Sequence, residues 1–235
     1  MKPVLICRYA PHDGPGYFAT YLTQHRINWC LVKLDEGEVL PDVNSASGLA
    51  MMGGPMSAND ELPWLTPMLS LVRDCVARDV PVIGHCLGGQ LLSKALGGVV
   101  TRNAVKEIGW ASVEIENVTL ARQWGPLKPF VSYHWHGETF SIPPAATRIW
   151  SSAQCTNQAF VLDRHIGMQC HIEITERMID EWCETGADEI ERDRIRSPAV
   201  QTPVAMRENM RSKLEDLHRV ADRVYGRWLD GLKLR

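Results

Sequence analysis

Across Pro81-Val82-Ile83-Gly84-His85-Cys86-Leu87-Gly88-Gly89-Gln90 a short buried strand runs straight into a helix. The apolar run ends at Gly84, and apolar residues recur at helical spacing through Leu96. Cys86 stands at the junction with a glycine two residues before it and another two after. Glycines let the chain turn sharply without Cβ clashes, so the thiol is presented above the carboxyl edge of a sheet. The helix N-terminus beneath it favours thiolate over thiol, and the Leu87 N–H is placed to meet an oxyanion. A lone cysteine in apolar surroundings is usually inert core, which is the expectation for Cys7, Cys75 and Cys183; the glycine-flanked turn reverses that expectation for Cys86.

Outward from this turn, strands and helices alternate. Val4 to Cys7 reads as a strand, Pro11 to Gly16 as a turn and Tyr17 to about His25 as a helix. Trp29 to Val32 and Gly48 to Met52 are further apolar runs, and Leu62 to Arg78 has helical periodicity. Such alternation predicts a mainly parallel sheet covered on both faces. After Val99 the pattern changes to closely spaced strand-like runs over Trp110 to Ile115, Phe130 to Tyr133, Arg148 to Ser151 and Ala159 to Leu162, expected as antiparallel additions. Ile166 to Cys170 reads as a last buried strand and Ile174 to Thr185 as a helix. The whole chain, 1–235, is expected as one domain: a core over about 4–185, a polar loop over 186–202 and a C-terminal amphipathic helix over 203–235.

The 235 residues are enough to bury a sizeable core. Net charge is −3, with basic and acidic residues interspersed, which gives no footprint for nucleic acid and favours a small polar substrate. The seven cysteines are odd in number and include no CxxC pair, which argues against a disulfide framework and a zinc site. No apolar stretch approaches the roughly 20 residues that span a bilayer, and the N-terminal run is too short for a signal peptide. A reducing, cytoplasmic location fits these features.

A thiol nucleophile needs a base, and histidine serves near neutral pH. His171 follows the last strand and Glu173 lies two residues on, close enough for the carboxylate to orient the imidazole. His134 and His136 alternate along a strand and share a face, but no third ligand is adjacent in a recognisable motif, so no metal is expected.

Gly53-Gly54-Pro55, Cys86-Leu87-Gly88-Gly89-Gln90 and His171-Ile172-Glu173, in that order, resemble the three signatures of class I glutamine amidotransferases. His136-Gly137-Glu138 with Ile142-Pro143, and Met56-Ser57-Ala58-Asn59-Asp60, resemble the stand-alone subgroup similar to the amidotransferase part of GMP synthase. The resemblance runs from about Val4 to Trp182. It implies a three-layer α/β/α fold of flavodoxin/Rossmann-like type, with Cys86 as nucleophile, His171 as base and Glu173 as its orienter. It further implies Gly53, Gly54 and the backbone at Leu87 around the oxyanion, Gln90 on the glutamyl substrate, His136 in the pocket wall, and no cofactor. Three positions depart from the pattern: Gly89 for histidine, Ile172 for proline and His85 for a small apolar residue. Positions 85 and 89 are expected to flank the pocket, with His85 a second candidate base. The substrate is expected to be glutamine or another γ-glutamyl compound, with ammonia passed to a separate synthase subunit or the amide hydrolysed by this chain alone. The alternative from another class is an idle binding module on the same fold.

Overall fold

The computed structural model describes residues 2–232. The N-terminal part alternates as β1 (Val4–Arg8), α1 (Gly16–Gln24), β2 (Trp29–Lys33), β3 (Gly48–Met51), α2 (Leu65–Ala77), β4 (Val82–His85) and α3 (Leu87–Ala95). There follow β5 (Val100–Ile115), α4 (Val118–Trp124), β6 (Phe130–Phe140), β7 (Thr147–Ser152), β8 (Ala159–Leu162) and β9 (His165–Met168). The C-terminal part is helical: α5 (Glu176–Thr185), α6 (Ala187–Asp193), α7 (Pro203–Arg207) and α8 (Met210–Leu229).

The strands form one nine-stranded sheet in the order β2-β1-β3-β4-β9-β8-β7-β5-β6. From β2 to β9 neighbours are parallel; from β9 to β6 they are antiparallel. Along β1 successive side chains enter opposite layers, Val4 and Ile6 one and Leu5 and Cys7 the other, as the period-2 geometry of a strand demands. The first layer is closed by Phe18 and Leu22 of α1 and by Leu217, Val224 and Trp228 of α8. Met68 and Val72 of α2 and Leu91 and Leu92 of α3 close the second. This three-layer α/β/α fold agrees with the expectation from the alternating pattern.

Four local expectations are corrected. The strand expected over Trp110 to Ile115 begins at Val100; over residues 101–106 the β5 side chains are exposed or half-buried and mostly polar, so its first part leaves little apolar signal. Between β5 and β6 lies α4, capped by the Asn117 side chain, which accepts from Leu120 N–H at 3.0 Å. The polar loop expected over 186–202 contains α6, which buries Ile190 alone among acidic and basic residues and so lacks periodicity. The C-terminal helix expected over 203–235 is divided: α7 starts at Pro203 under the Thr202 cap, and Asn209, at φ 53° and ψ 26°, breaks the chain before α8. Residues 233–235 of that expectation, and Met1 of the expected domain, lie outside the described residues. Nor does the core stop near 185, since Leu214, Leu217, Val224 and Trp228 are buried within it.

Candidate active site

The strand β4 ends at His85, α3 starts at Leu87, and Cys86 between them holds φ 50° and ψ −108°. That combination is costly for a residue with a Cβ and persists only where the surroundings enforce it. Both flanking glycines are part of the enforcement. A Cβ on Gly84 would lie 2.3 Å from Gly88 O, and one on Gly88 would lie 2.2 Å from Met51 O. The amides beside the turn are engaged, Cys86 N–H by Met168 O at 2.8 Å and Gly88 N–H by Met52 O at 3.1 Å.

Across the β4–β9 pair the chain leaves β9 toward His171. The His171 N–H donates to Tyr133 O at 2.8 Å, and Trp182 of α5 meets the imidazole edge-on with ring centroids 4.8 Å apart. His171 Nδ1 is 2.7 Å from Glu173 Oε1, and both residues are buried. Burial opposes the charged imidazole, but Glu173 and Cys86 outweigh it and hold the His171 pKa well above its ordinary value. In Glu173 burial favours the neutral acid, yet His85 and His171 keep its pKa below the usual carboxylate range. His171 Nε2 has no hydrogen-bond partner among the described residues. With Nδ1 committed to Glu173, Nε2 is the atom able to exchange a proton at Cys86.

These groups open into a pocket of about 550 Å³, within the ordinary size of small-molecule sites. Gly54, Cys86, Leu87, Gln90, His136 and His171 line it. Gly53 lies just behind, where a Cβ would approach His171 Cε1 at 3.2 Å and Cys86 Cβ at 3.8 Å. Gln90 Nε2 is 3.2 Å from Gln169 Oε1 and 3.4 Å from Glu138 O. All eight residues singled out in the sequence therefore converge on one corner of the sheet.

Positions 85 and 89 do not flank the pocket. His85 is fully buried behind Glu173, its Nε2 3.2 Å from Tyr225 Oη and 3.9 Å from Glu173 Oε2. Burial chiefly lowers its pKa, and the charged groups acting on it are Glu173 and His171. As the residue preceding the turn it follows the strand's alternation to the face opposite Cys86. A Cβ on Gly89 would lie 2.4 Å from Met168 O, so that position packs α3 against β9.

Three further groups escaped the sequence reading. Gln169 Nε2 donates to Cys86 Sγ at 3.4 Å; its place directly after β9, two residues before His171, is the signal that could have found it. Asp13 lines the pocket from the loop after β1, and burial pushes its carboxyl up to about 6 against the pull of His171. Glu107 lies opposite His136 on β5, with Oε2 3.0 Å from His136 Nε2. It supplies the third ligand-type side chain that sequence adjacency did not offer beside His134 and His136.

The sandwich, the strained cysteine turn and the carboxylate-held imidazole together define a protein of glutamine amidotransferase type. The chain belongs to the class-I glutamine amidotransferase family, whose pattern residues 18–182 match. It is 44% identical, with a TM-score of 0.97, to a crystal structure of a glutamine amidotransferase from Methylobacillus flagellatus, covering 99% of this chain and 96% of that one. Over 168 residues it is 30% identical to the glutamine amidotransferase-like protein YfeJ of Salmonella typhimurium, covering 66% of this chain and 68% of that protein. It is also 33% identical over 135 residues to one of the subunits of the glutamine-hydrolysing GMP synthase of Sulfolobus acidocaldarius, covering 54% and 69% respectively. Of full-length GMP synthases it spans much less, 25% of that from Natranaerobius thermophilus. Among the described residues no helix is long and apolar enough to cross a membrane.

Proposed function

We propose that the chain hydrolyses the γ-carboxamide of glutamine, or of a related γ-glutamyl compound, through a thioester on Cys86. The observation that carries this reading is the strained Cys86 turn beside an imidazole whose Nε2 is unpartnered and whose Nδ1 is held by Glu173. Cys86 Sγ attacks the γ-carbonyl carbon as its proton passes to His171 Nε2. The tetrahedral oxyanion is met by the backbone N–H groups of Leu87 and Gly54, each donor lowering the barrier by about 3–4 kcal/mol in comparable sites. His171 then returns the proton to the leaving nitrogen, which departs as ammonia or an amine. Water, deprotonated by His171, opens the γ-glutamyl thioester to release glutamate and restore the thiol.

Gln90 holds the glutamyl portion, and His136 lines the pocket wall beside it. The relation to one component of a multi-subunit GMP synthase favours delivery of the ammonia to a separate synthase subunit. The pocket volume supports a second substrate arm, since about 550 Å³ leaves room for an amine larger than ammonia. Glutamate release from glutamine and from a panel of γ-glutamyl amides tests both arms. Wild type is expected to turn over at least one of them and Cys86→Ala none; equal turnover by the two proteins rejects the mechanism.

A further inference from the structure

The pocket wall formed by β5 and β6 contains a polar cluster that the proposed hydrolysis does not use. His134 and His136 are two residues apart on β6 and share a face, while Glu107 stands opposite His136 and Gly109 opposite His134 in the antiparallel register. The Glu107 carboxylate lies close to both imidazoles. One ligand atom from each of the three residues lies within 4.8 Å of the others. All three side chains are buried, at 1% exposure for Glu107, 0% for His134 and 5% for His136.

From this geometry we infer that Glu107, His134 and His136 form a binding site for a divalent transition metal, zinc by the chemistry of its donors. Two imidazoles and one carboxylate are a donor set that zinc takes with its remaining tetrahedral position filled by water. Bonds of about 2.0–2.2 Å place tetrahedral ligand atoms about 3.4 Å apart, inside the range of separations here. The supporting groups also have the arrangement that metal ligands need. His136 Nδ1 is 3.0 Å from Glu138 O, which leaves Nε2, 3.0 Å from Glu107 Oε2, as the nitrogen that would give up its proton to a metal. Glu107 is held from behind by Ser152 Oγ on Oε1 and Gln158 Nε2 on Oε2, each at 2.9 Å.

His134 is the second, independent observation. The Ala111 carbonyl lies near its ring, yet neither nitrogen has a partner at hydrogen-bond geometry among the described residues. Buried polar atoms are almost always satisfied, and an imidazole without partners beside a carboxylate is the donor a metal would use. His136 borders the pocket, which provides access for the ion and for the water completing its coordination. The metal would pin β5 to β6 beside the register irregularity between Arg102 and Glu107 and fix the wall that carries His136. It takes no part in the attack by Cys86.

The test is metal content and ligation. Protein purified without a metal-binding tag is incubated with zinc chloride, desalted and measured by plasma mass spectrometry, and the zinc K-edge absorption spectrum of the wild type is recorded. Expected are about one zinc per chain and a shell of nitrogen and oxygen with imidazole scattering and no sulfur. Glu107→Gln and His134→Asn are expected to weaken binding by more than about 100-fold, beyond the cost of losing a supporting residue at a metal site, while Cys86→Ser retains it. Absence of zinc from the desalted wild type, a sulfur ligand in the spectrum, or loss of zinc in Cys86→Ser with retention in His134→Asn each overturns the assignment. The spectrum is read on the wild type alone, so the assignment stays testable if either ligand variant does not fold.

Discussion

Glu173 Oε2 lies 3.9 Å from His85 Nε2, while its other oxygen meets His171 Nδ1 at 2.7 Å. One buried carboxylate thus stands between two imidazoles, and only His171 has a nitrogen on the Cys86 side. His171→Ala is therefore expected to lower glutamate release by about 10²–10⁴-fold, the usual contribution of a general base. His85→Asn removes the His85 contacts to Glu173 and Tyr225 but touches no reacting atom, and is expected to cost at most about tenfold, about 1.4 kcal/mol. Initial rates for the two variants check the assignment; a larger loss in His85→Asn would move the base to His85.

Asp13 gives a pH dependence with a definite sign. Its folded pKa of about 6 is above the ordinary 3.8, so the folded state binds more protons between those values. The resulting stabilisation is fully present below 3.8 and is lost as pH rises through about 6. Above that, ionised Asp13 destabilises the fold. At 1.36 kcal/mol per pKa unit, the gap from 3.8 to about 6 sets an upper bound of about 3 kcal/mol, reduced by screening on its solvent side. Asp13→Asn is expected to raise the urea midpoint at pH 8 and to lose that advantage as pH approaches 4. A midpoint change that is the same at both pH values contradicts the cause given for the shift.

Gly88 tests the turn without touching a reacting atom. A Cβ there would lie 2.2 Å from Met51 O, backbone that cannot rotate away, so α3 must shift from β3. Gly88→Ala is expected to destabilise by about 1–3 kcal/mol, the range for overpacking a filled site, with glutamate release falling further because Leu87 moves with the helix. Denaturant unfolding beside activity checks it; unchanged stability would mean that the turn has slack.

The legible parts of this site are those whose causes lie within a few residues. Gly84 and Gly88 bracket Cys86 locally, and His171 and Glu173 meet across one intervening residue, so chain order alone brought them into view. Glu107 reaches His136 only through β5–β6 pairing, and Asp13 comes from a loop after β1, so neither leaves a local signature. Gln169 lies beside His171 in sequence, but its bond to Cys86 depends on β9 lying against β4. His85 was misplaced because sequence proximity to Cys86 says nothing about which face of the sheet receives it. The helix α6 was invisible for another reason: Ile190 is its one buried residue. Lys106, paired with Glu189 and Asp193, ties α6 to the pocket wall by contacts that hydropathy does not register.

The six other cysteines supply the internal controls for Cys86. Burial raises the pKa of Cys7, Cys30, Cys75, Cys155, Cys170 and Cys183, with Cys75 and Cys170 each pushed up to about 12. A thiol so shifted is almost wholly protonated near neutral pH and reacts slowly with alkylating agents, because the thiolate is the nucleophile. Cys86 alone among them stands at the start of a helix, beside His171, and in the pocket lining. A sub-stoichiometric dose of iodoacetamide at pH 7 is therefore expected to label Cys86 first, and glutamate release is expected to fall in proportion to that label. His171→Ala should slow the labelling, since it removes the base that takes the Cys86 proton, while His85→Asn should leave it nearly unchanged. Peptide mass mapping against residual activity checks both parts. Prior labelling of Cys30, the one free cysteine that is not buried, or activity that survives full labelling of Cys86, would remove Cys86 from the role of nucleophile.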